Sequence, residues 1–130
     1  AGTKRCIRLN VSGPFHTKYM KEAGDKLKEK LKSMTINSAK IPVVMNVTGD
    51  YLKEDDDLVE MLFKQVQSSV HFEESLRRLL SDGYTNFVEI GPGNALSGFL
   101  KKTAKDMDVS VNVISIETVE DLKKLDEVEG

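Results

Sequence analysis

Tryptophan is absent from these 130 residues, and there are only one cysteine, two histidines and three prolines. A lone Cys6 excludes an internal disulfide and suits a reducing compartment. With so few Cys and His, a Cys/His zinc site is excluded as well. No sign of charge dominates: 19 Lys+Arg stand against 21 Asp+Glu, a formal net charge of −2. Nucleic-acid binding needs a basic surplus, so no nucleic-acid partner is expected. No apolar run nears the roughly 20 residues of a membrane span. The longest, Ile41 to Val47, is interrupted by Pro42 and Asn46. The opening AGTKRCIRLN does not begin with Met and has no apolar signal-peptide region, so the expected location is cytoplasmic, with no membrane partner. What remains, 39% hydrophobic and 31% charged residues, is the composition of an ordinary globular chain of one-domain length.

Strand and helix patterns alternate along it. From Cys6 to Ser12, Ile7, Leu9 and Val11 fall on one face, the period of two of a half-buried strand, which Gly13-Pro14 ends. Met20, Ala23, Leu27, Leu31 and Met34 recur at helical spacing and predict a helix from about Lys18 to Ser33, supported by a Glu22–Lys26 pair. Ile41 to Val47 reads as a strand closed by Thr48-Gly49-Asp50. The acidic stretch Glu54 to Asp57 predicts a helix start ahead of Leu58, Val59, Leu62, Phe63 and Val66. A third helix is expected over Phe72 to Ser81, with Leu76, Leu79 and Leu80 inward and Asp82-Gly83 as its stop. Asn86 to Ile90 predicts a strand, Ala95 to about Lys105 a helix, Val109 to Ile116 a strand, and Glu117 to about Glu127 a last, acidic helix. Such alternation favours an α/β architecture with parallel strand pairs.

Few residues carry chemistry. Asp55-Asp56-Asp57 lacks the alternating spacing and central glycine of a calcium loop and reads as a helix cap. Gly91-Pro92-Gly93 is too short for a P-loop or a dinucleotide fingerprint, and Pro92 removes an N–H donor, so a tight structural turn is expected there. His71 reads as a capping or partly exposed histidine. His16 stands apart: it follows a strand and a Gly-Pro kink, in a loop of the kind where α/β proteins place their sites. A nucleophile for it is missing. No two glycines are four apart, so none of the ten serines lies in a G-x-S-x-G elbow. Cys6, near Lys4 and Arg5, reads as an inert strand cysteine. Metal sites are not expected.

Taken together, Val11-Ser12-Gly13-Pro14-Phe15-His16, the helix with Met20, Ile41 to Val47, Lys64-Gln65, Val70-His71-Phe72 and Glu89-Ile90-Gly91-Pro92-Gly93 resemble, in order and spacing, the C-terminal half of the malonyl-CoA:acyl-carrier-protein transacylase family. The likeness covers roughly residues 3 to 105. It implies an α/β-hydrolase-like core with a ferredoxin-like small subdomain, residues 1–12 being the last strand of that subdomain and 13–130 the C-terminal part of the core. It also implies malonyl transfer from coenzyme A to the phosphopantetheine thiol of acyl carrier protein through an acyl-serine, with no cofactor. By resemblance His16 is the catalytic base, the Gln65 backbone carbonyl orients its ring, and Phe15 borders the acyl pocket. Lys4, Arg5, Lys101 and Lys102 then lie near the active-site mouth, suited to docking an acidic carrier protein. The family's elbow serine, oxyanion-hole glutamine segment and malonyl-gripping arginine have no counterpart in this chain. An N-terminal part of the same enzyme is therefore an expected partner, and the chain alone is expected to be inactive. The alternative is a non-catalytic α/β binding or scaffold domain in which His16 is a loop histidine; hydrolysis in place of transfer is a third reading.

Overall fold

The strand expected over Cys6 to Ser12 lies, but for Ser12, outside residues 12–127, which are those that the computed structural model describes. The described chain forms two units, one of residues 12–38 with Glu54–Val70, the other of Ala39–Lys53 with the chain from His71 onward. They interleave in sequence and are described separately.

The first unit is a helix pair, α1 (Lys21–Lys32) and α2 (Leu58–Gln67), entered through a single 3-10 turn at Lys18–Met20. The expected α1 stripe is only partly inward. Met20, Leu27 and Leu31 are half-buried, whereas Ala23 and Met34 face solvent. The buried residue of α1 is Gly24, because a Cβ there would meet the Phe63 ring of α2 at 3.4 Å. A helical glycine costs about 1 kcal/mol relative to alanine. Here it lets α2 approach, and Phe63 takes the space a side chain would fill. Lys28 bridges the pair, its ammonium 4.6 Å from the Phe63 ring centre and donating to Glu60. The Lys26–Glu22 pair forms at 2.7 Å as the spacing predicts, on the exposed face. The acidic stretch before α2 is a cap: the Asp57 carboxylate accepts from the Glu60 amide at 3.1 Å.

The second unit is α/β. The strand expected over Ile41 to Val47 is in fact a hairpin, β1 (Val44–Met45) against β2 (Asp50–Tyr51), antiparallel. Pro42 has no N–H to give a ladder, and the chain reverses at once through residues 46–49. Gly49 makes that reversal possible. Its φ of +68° is left-handed, and its amide donates to the Met45 carbonyl at 2.8 Å. The hairpin lies on α3 (Phe72–Ser81), where Arg78 donates to Asp50 at 2.8 Å and to Asp82 at 2.9 Å. Arg78 also stacks over the Tyr51 ring at 4.8 Å. A hydrogen bond to Asp82 pushes the Tyr51 phenol up to about 12.

Next come β3 (Asn86–Ile90), α4 (Ala95–Asp106) and β4 (Asn112–Ile116). β3 and β4 pair in parallel with Phe87 opposite Val113 and Glu89 opposite Ser115, the crossover geometry expected when a helix links two strands. Leu76 and Leu80 of α3 and Leu100 and Ala104 of α4 form the buried core, over Phe87 and Val113 of the sheet. β4 begins three residues later than the hydrophobic run. Asp108, at φ +55°, closes α4 with the Val109 amide on the Ala104 carbonyl at 2.9 Å, and Val109 and Val111 pack on the core as a connector. The last helix is also different from expectation. Val119–Glu127 is a 3-10 helix, with Val119, Leu122 and Leu125 at intervals of three on its exposed face. Its start is wound tight by the Asp121 carboxylate, which accepts from the Glu117 and Thr118 amides at 3.0 and 2.9 Å.

Gly49 offers a test of this packing. A Cβ there would stand 2.6 Å from Glu74 Cβ and 3.3 Å from His71 Cβ, besides the left-handed φ. Gly49→Ala should cost about 2–3 kcal/mol through overpacking and strain together. Gly83→Ala, also left-handed but with nothing within 4 Å, should cost about 1 kcal/mol. Chemical denaturation of the two variants side by side checks the order; equal losses would refute the close approach.

Candidate functional site

The residues before α1 form a loop with little freedom. Pro14 holds one backbone angle, and the Phe15 ring folds back over Gly13, where a Cβ would meet it at 3.3 Å. The next residue, His16, has φ of +58°. A side-chain-bearing residue in that region costs about 1–2 kcal/mol, and such strain persists only when surrounding contacts hold it. The contacts are visible. Thr17 donates its hydroxyl to the Pro14 carbonyl at 2.7 Å and accepts from the Tyr19 amide at 3.3 Å, while the Met20 amide reaches the Thr17 carbonyl at 2.9 Å.

This loop brings His16 to the end of α2. Its Nδ1 lies 2.9 Å from the backbone oxygen of Gln65. A carbonyl only accepts, so Nδ1 carries the hydrogen and donates. That choice of tautomer leaves Nε2 with its lone pair, as a base needs. Gln65 stands in the last turn of α2, whose carbonyls have no amide ahead of them to accept from. The histidine supplies the missing donor. His16 and Gln65 are thus brought together, although 49 residues separate them in sequence. Phe15 is 56% exposed beside them. Lys101 and Lys102 are exposed on α4, in the other unit, and Lys4 and Arg5 lie outside the described residues.

His71 precedes α3 and lies 3.4 Å from Glu74 through Nδ1, on an exposed surface, as a local helix-start contact. The turn at Gly91-Pro92-Gly93 is built with φ of +141° at Gly91 and +83° at Gly93. Two of the first amides of α4 beyond it are already occupied. The Glu89 carboxylate accepts from Leu96 N at 3.1 Å, from Ser97 N at 2.9 Å and from the Ser97 hydroxyl, which in turn meets the Ser115 hydroxyl at 3.1 Å. Asn94, at the cap position, makes no side-chain cap, so Glu89 does its work from the preceding strand. Two side chains escaped the sequence reading, Thr17 and Glu89. A Thr opening a helical segment was a visible capping signal; the reach of Glu89 across a turn of unknown course was not. Among the described residues no group of three or more His, Cys, Asp or Glu is arranged to hold a metal, and no helix is long and apolar enough to cross a membrane.

These donors, with the Ser97 hydroxyl first, hold the Glu89 carboxyl below its ordinary value of 4.5. A depressed carboxyl contributes stability above its unfolded value and loses it as pH falls through the lower folded value. The protein should therefore lose stability on acidification below about 4.5. Glu89→Gln should melt earlier at neutral pH and show a flatter acid limb. Melting curves from neutral to acid pH check this, and an unchanged acid limb would refute it.

No family model matches the chain. It is 46% identical over 119 residues to the malonyl CoA-acyl carrier protein transacylase of Bacillus subtilis (strain 168), covering 92% of this chain and 37% of that protein. Against the protein of the same name from Staphylococcus aureus (strain MSSA476) it is 38% identical over 122 residues, 94% of this chain and 38% of the relative. Among solved structures, the transacylase of Clostridium perfringens superposes with a TM-score of 0.85 at 38% identity, over 95% of this chain and 38% of that one. The enzyme of Streptococcus pneumoniae gives 0.86 at 36% identity, over 98% and 40%. The chain thus spans about two-fifths of the length of these relatives. On sequence and fold together, the chain is similar to a part of the malonyl CoA-acyl carrier protein transacylases.

Proposed function

We propose that this chain is the histidine-bearing portion of an acyltransferase that moves a malonyl group from coenzyme A to acyl carrier protein in the cytoplasm. The observation that carries the reading is the Nδ1 donation of His16 to the Gln65 carbonyl, on a chain with these relatives. A histidine held by one nitrogen and free at the other is a general base. A serine from the portion outside this chain gives its proton to Nε2 and attacks the malonyl thioester carbonyl. The imidazolium then returns the proton to the departing coenzyme A thiolate. In the second half-reaction Nε2 takes the proton of the carrier's phosphopantetheine thiol, which attacks the malonyl-serine ester, and serine leaves with that proton. The carbonyl end of α2 is the negative pole of its dipole and favours the charge that the ring carries between these steps.

The rest of the reading follows from the same family. Residues 1–12 would complete a ferredoxin-like small subdomain, and 13–130 the hydrolase-like core. Phe15, exposed beside the histidine, is suited to limit space at the acyl group. Lys4, Arg5, Lys101 and Lys102 are suited to an acidic carrier.

Two measurements test it. Malonyl-CoA mixed with this chain alone should leave its intact mass unchanged, since no elbow serine is present; a stable malonyl adduct would overturn the division of labour. In the complete enzyme, His16→Ala should slow transfer by about 10²- to 10⁴-fold, the usual worth of a general base. Gln65→Ala should do far less, since alanine keeps the carbonyl that the ring uses. Equal losses would assign the Gln65 side chain a role of its own, and a fully active His16→Ala enzyme would refute the base.

A further inference from the structure

His16, taken as the base proposed above, is held in a backbone conformation that its own side chain disfavours. The ring meets Gln65 with the backbone at that φ of +58°, so whatever holds the turn helps to keep Nδ1 on its acceptor. Pro14 and Phe15 limit the chain before His16, yet the side chain of neither bonds across the turn. Thr17 does. Its hydroxyl donates back to the Pro14 carbonyl at 2.7 Å, and the same oxygen accepts from the Tyr19 amide at 3.3 Å. One oxygen thereby ties the residue two before His16 to the residue three after it. The Thr17 backbone is extended, at φ −133° and ψ 166°, so the loop turns at His16 and straightens at once.

We propose that Thr17 is a positioning residue of this acyltransferase, its hydroxyl clasping the turn that holds His16 left-handed and its Nδ1 on the Gln65 carbonyl. Thr17 touches no substrate in this account; it acts through His16. The clasp needs a hydroxyl that both donates and accepts, which serine supplies and the near-isosteric valine does not. Without it the histidine can relax toward ordinary φ, and Nδ1 leaves its acceptor. A base displaced by about 1 Å loses on the order of 10- to 100-fold in rate.

The test uses the complete enzyme, this chain together with the portion that carries the nucleophile, as wild type, Thr17→Val, Thr17→Ser and His16→Ala. Thr17→Val should lower kcat about 10- to 100-fold with little change in KM for malonyl-CoA, and Thr17→Ser should restore most of it. Nitrogen-15 NMR of the His16 ring should show a protonated Nδ1 and bare Nε2 in wild type and Thr17→Ser, and mixed tautomers in Thr17→Val. A simple loss of loop stability would lower the melting temperature without shifting the tautomer. If Thr17→Val fails to fold, Thr17→Ala takes its place. Full rate with an unshifted tautomer in the variant lacking the hydroxyl would overturn the proposal while His16→Ala remained slow. If His16→Ala were itself fully active, the base reading would fall and the proposal with it.

Discussion

The backbone carbonyl of Gln65 is a by-product of ending a helix, and the candidate site depends on it. Any α-helix leaves its last carbonyls without amides ahead of them, and those groups must find donors elsewhere. In α2 one of the donors is an imidazole N–H delivered by a loop from the other end of the first unit. A carboxylate in that place would orient the ring too, but it would add a full negative charge and a side chain whose own rotamer needed support. The main chain is already immobile, because the helix behind it is. Asp57 caps the start of α2, while the fit of Phe63 over Gly24 and the bridge from Lys28 to Glu60 keep α2 against α1, and through it the carbonyl in place.

The strain at His16 belongs to the same arrangement. A histidine with positive φ is disfavoured by its own Cβ, so the contacts around it have to exceed that cost. The Pro14 ring, the Thr17 hydroxyl and the bond to Gln65 are short-range or rigid, and none relies on a long flexible side chain. Thr17 also caps the 3-10 turn that leads into α1, so the loop and the helix share one oxygen.

The second unit manages its helix end in the opposite sense. The α4 N-terminus offers amides, and Glu89 of β3 accepts two of them and a hydroxyl. A turn between strand and helix that looks fit for a phosphate is thus already filled by the protein's own carboxylate. The sequence Glu-Ile-Gly-Pro-Gly holds both halves of that arrangement. The left-handed glycines return the chain, and the acid two residues before the first glycine sits on the face of β3 that α4 covers. The contacts of Arg78 with Asp50, Asp82 and Tyr51 fasten the hairpin to α3 beside the buried Met45.

Much of this was legible in the residues alone, for a physical reason. Periodicity and caps are local, so α3 and β3 begin and end where the pattern says, and α2 starts at the residue after Asp57. The residues around His16 and Gly91 that carry the resemblance are local as well, and the similarity to a relative extends over 92% of the chain. Elements whose form depends on neighbours were not legible. Ile41 to Val47 has the apolar run of a strand, yet the close contact of Gly49 with α3 makes it a hairpin. Val119–Glu127 has the charge of a surface helix, yet it is a 3-10 helix whose start Asp121 ties to the amides of Glu117 and Thr118. Ala23 and Met34 fit the α1 stripe by spacing and still face solvent, because Gly24 is where α2 comes closest. By itself the sequence determined which residues have reactive or capping chemistry, since composition and short spacing are written in the chain. Only the tertiary structure decided which nitrogen of His16 is free, since that is set by an acceptor 49 residues away that no local pattern encodes.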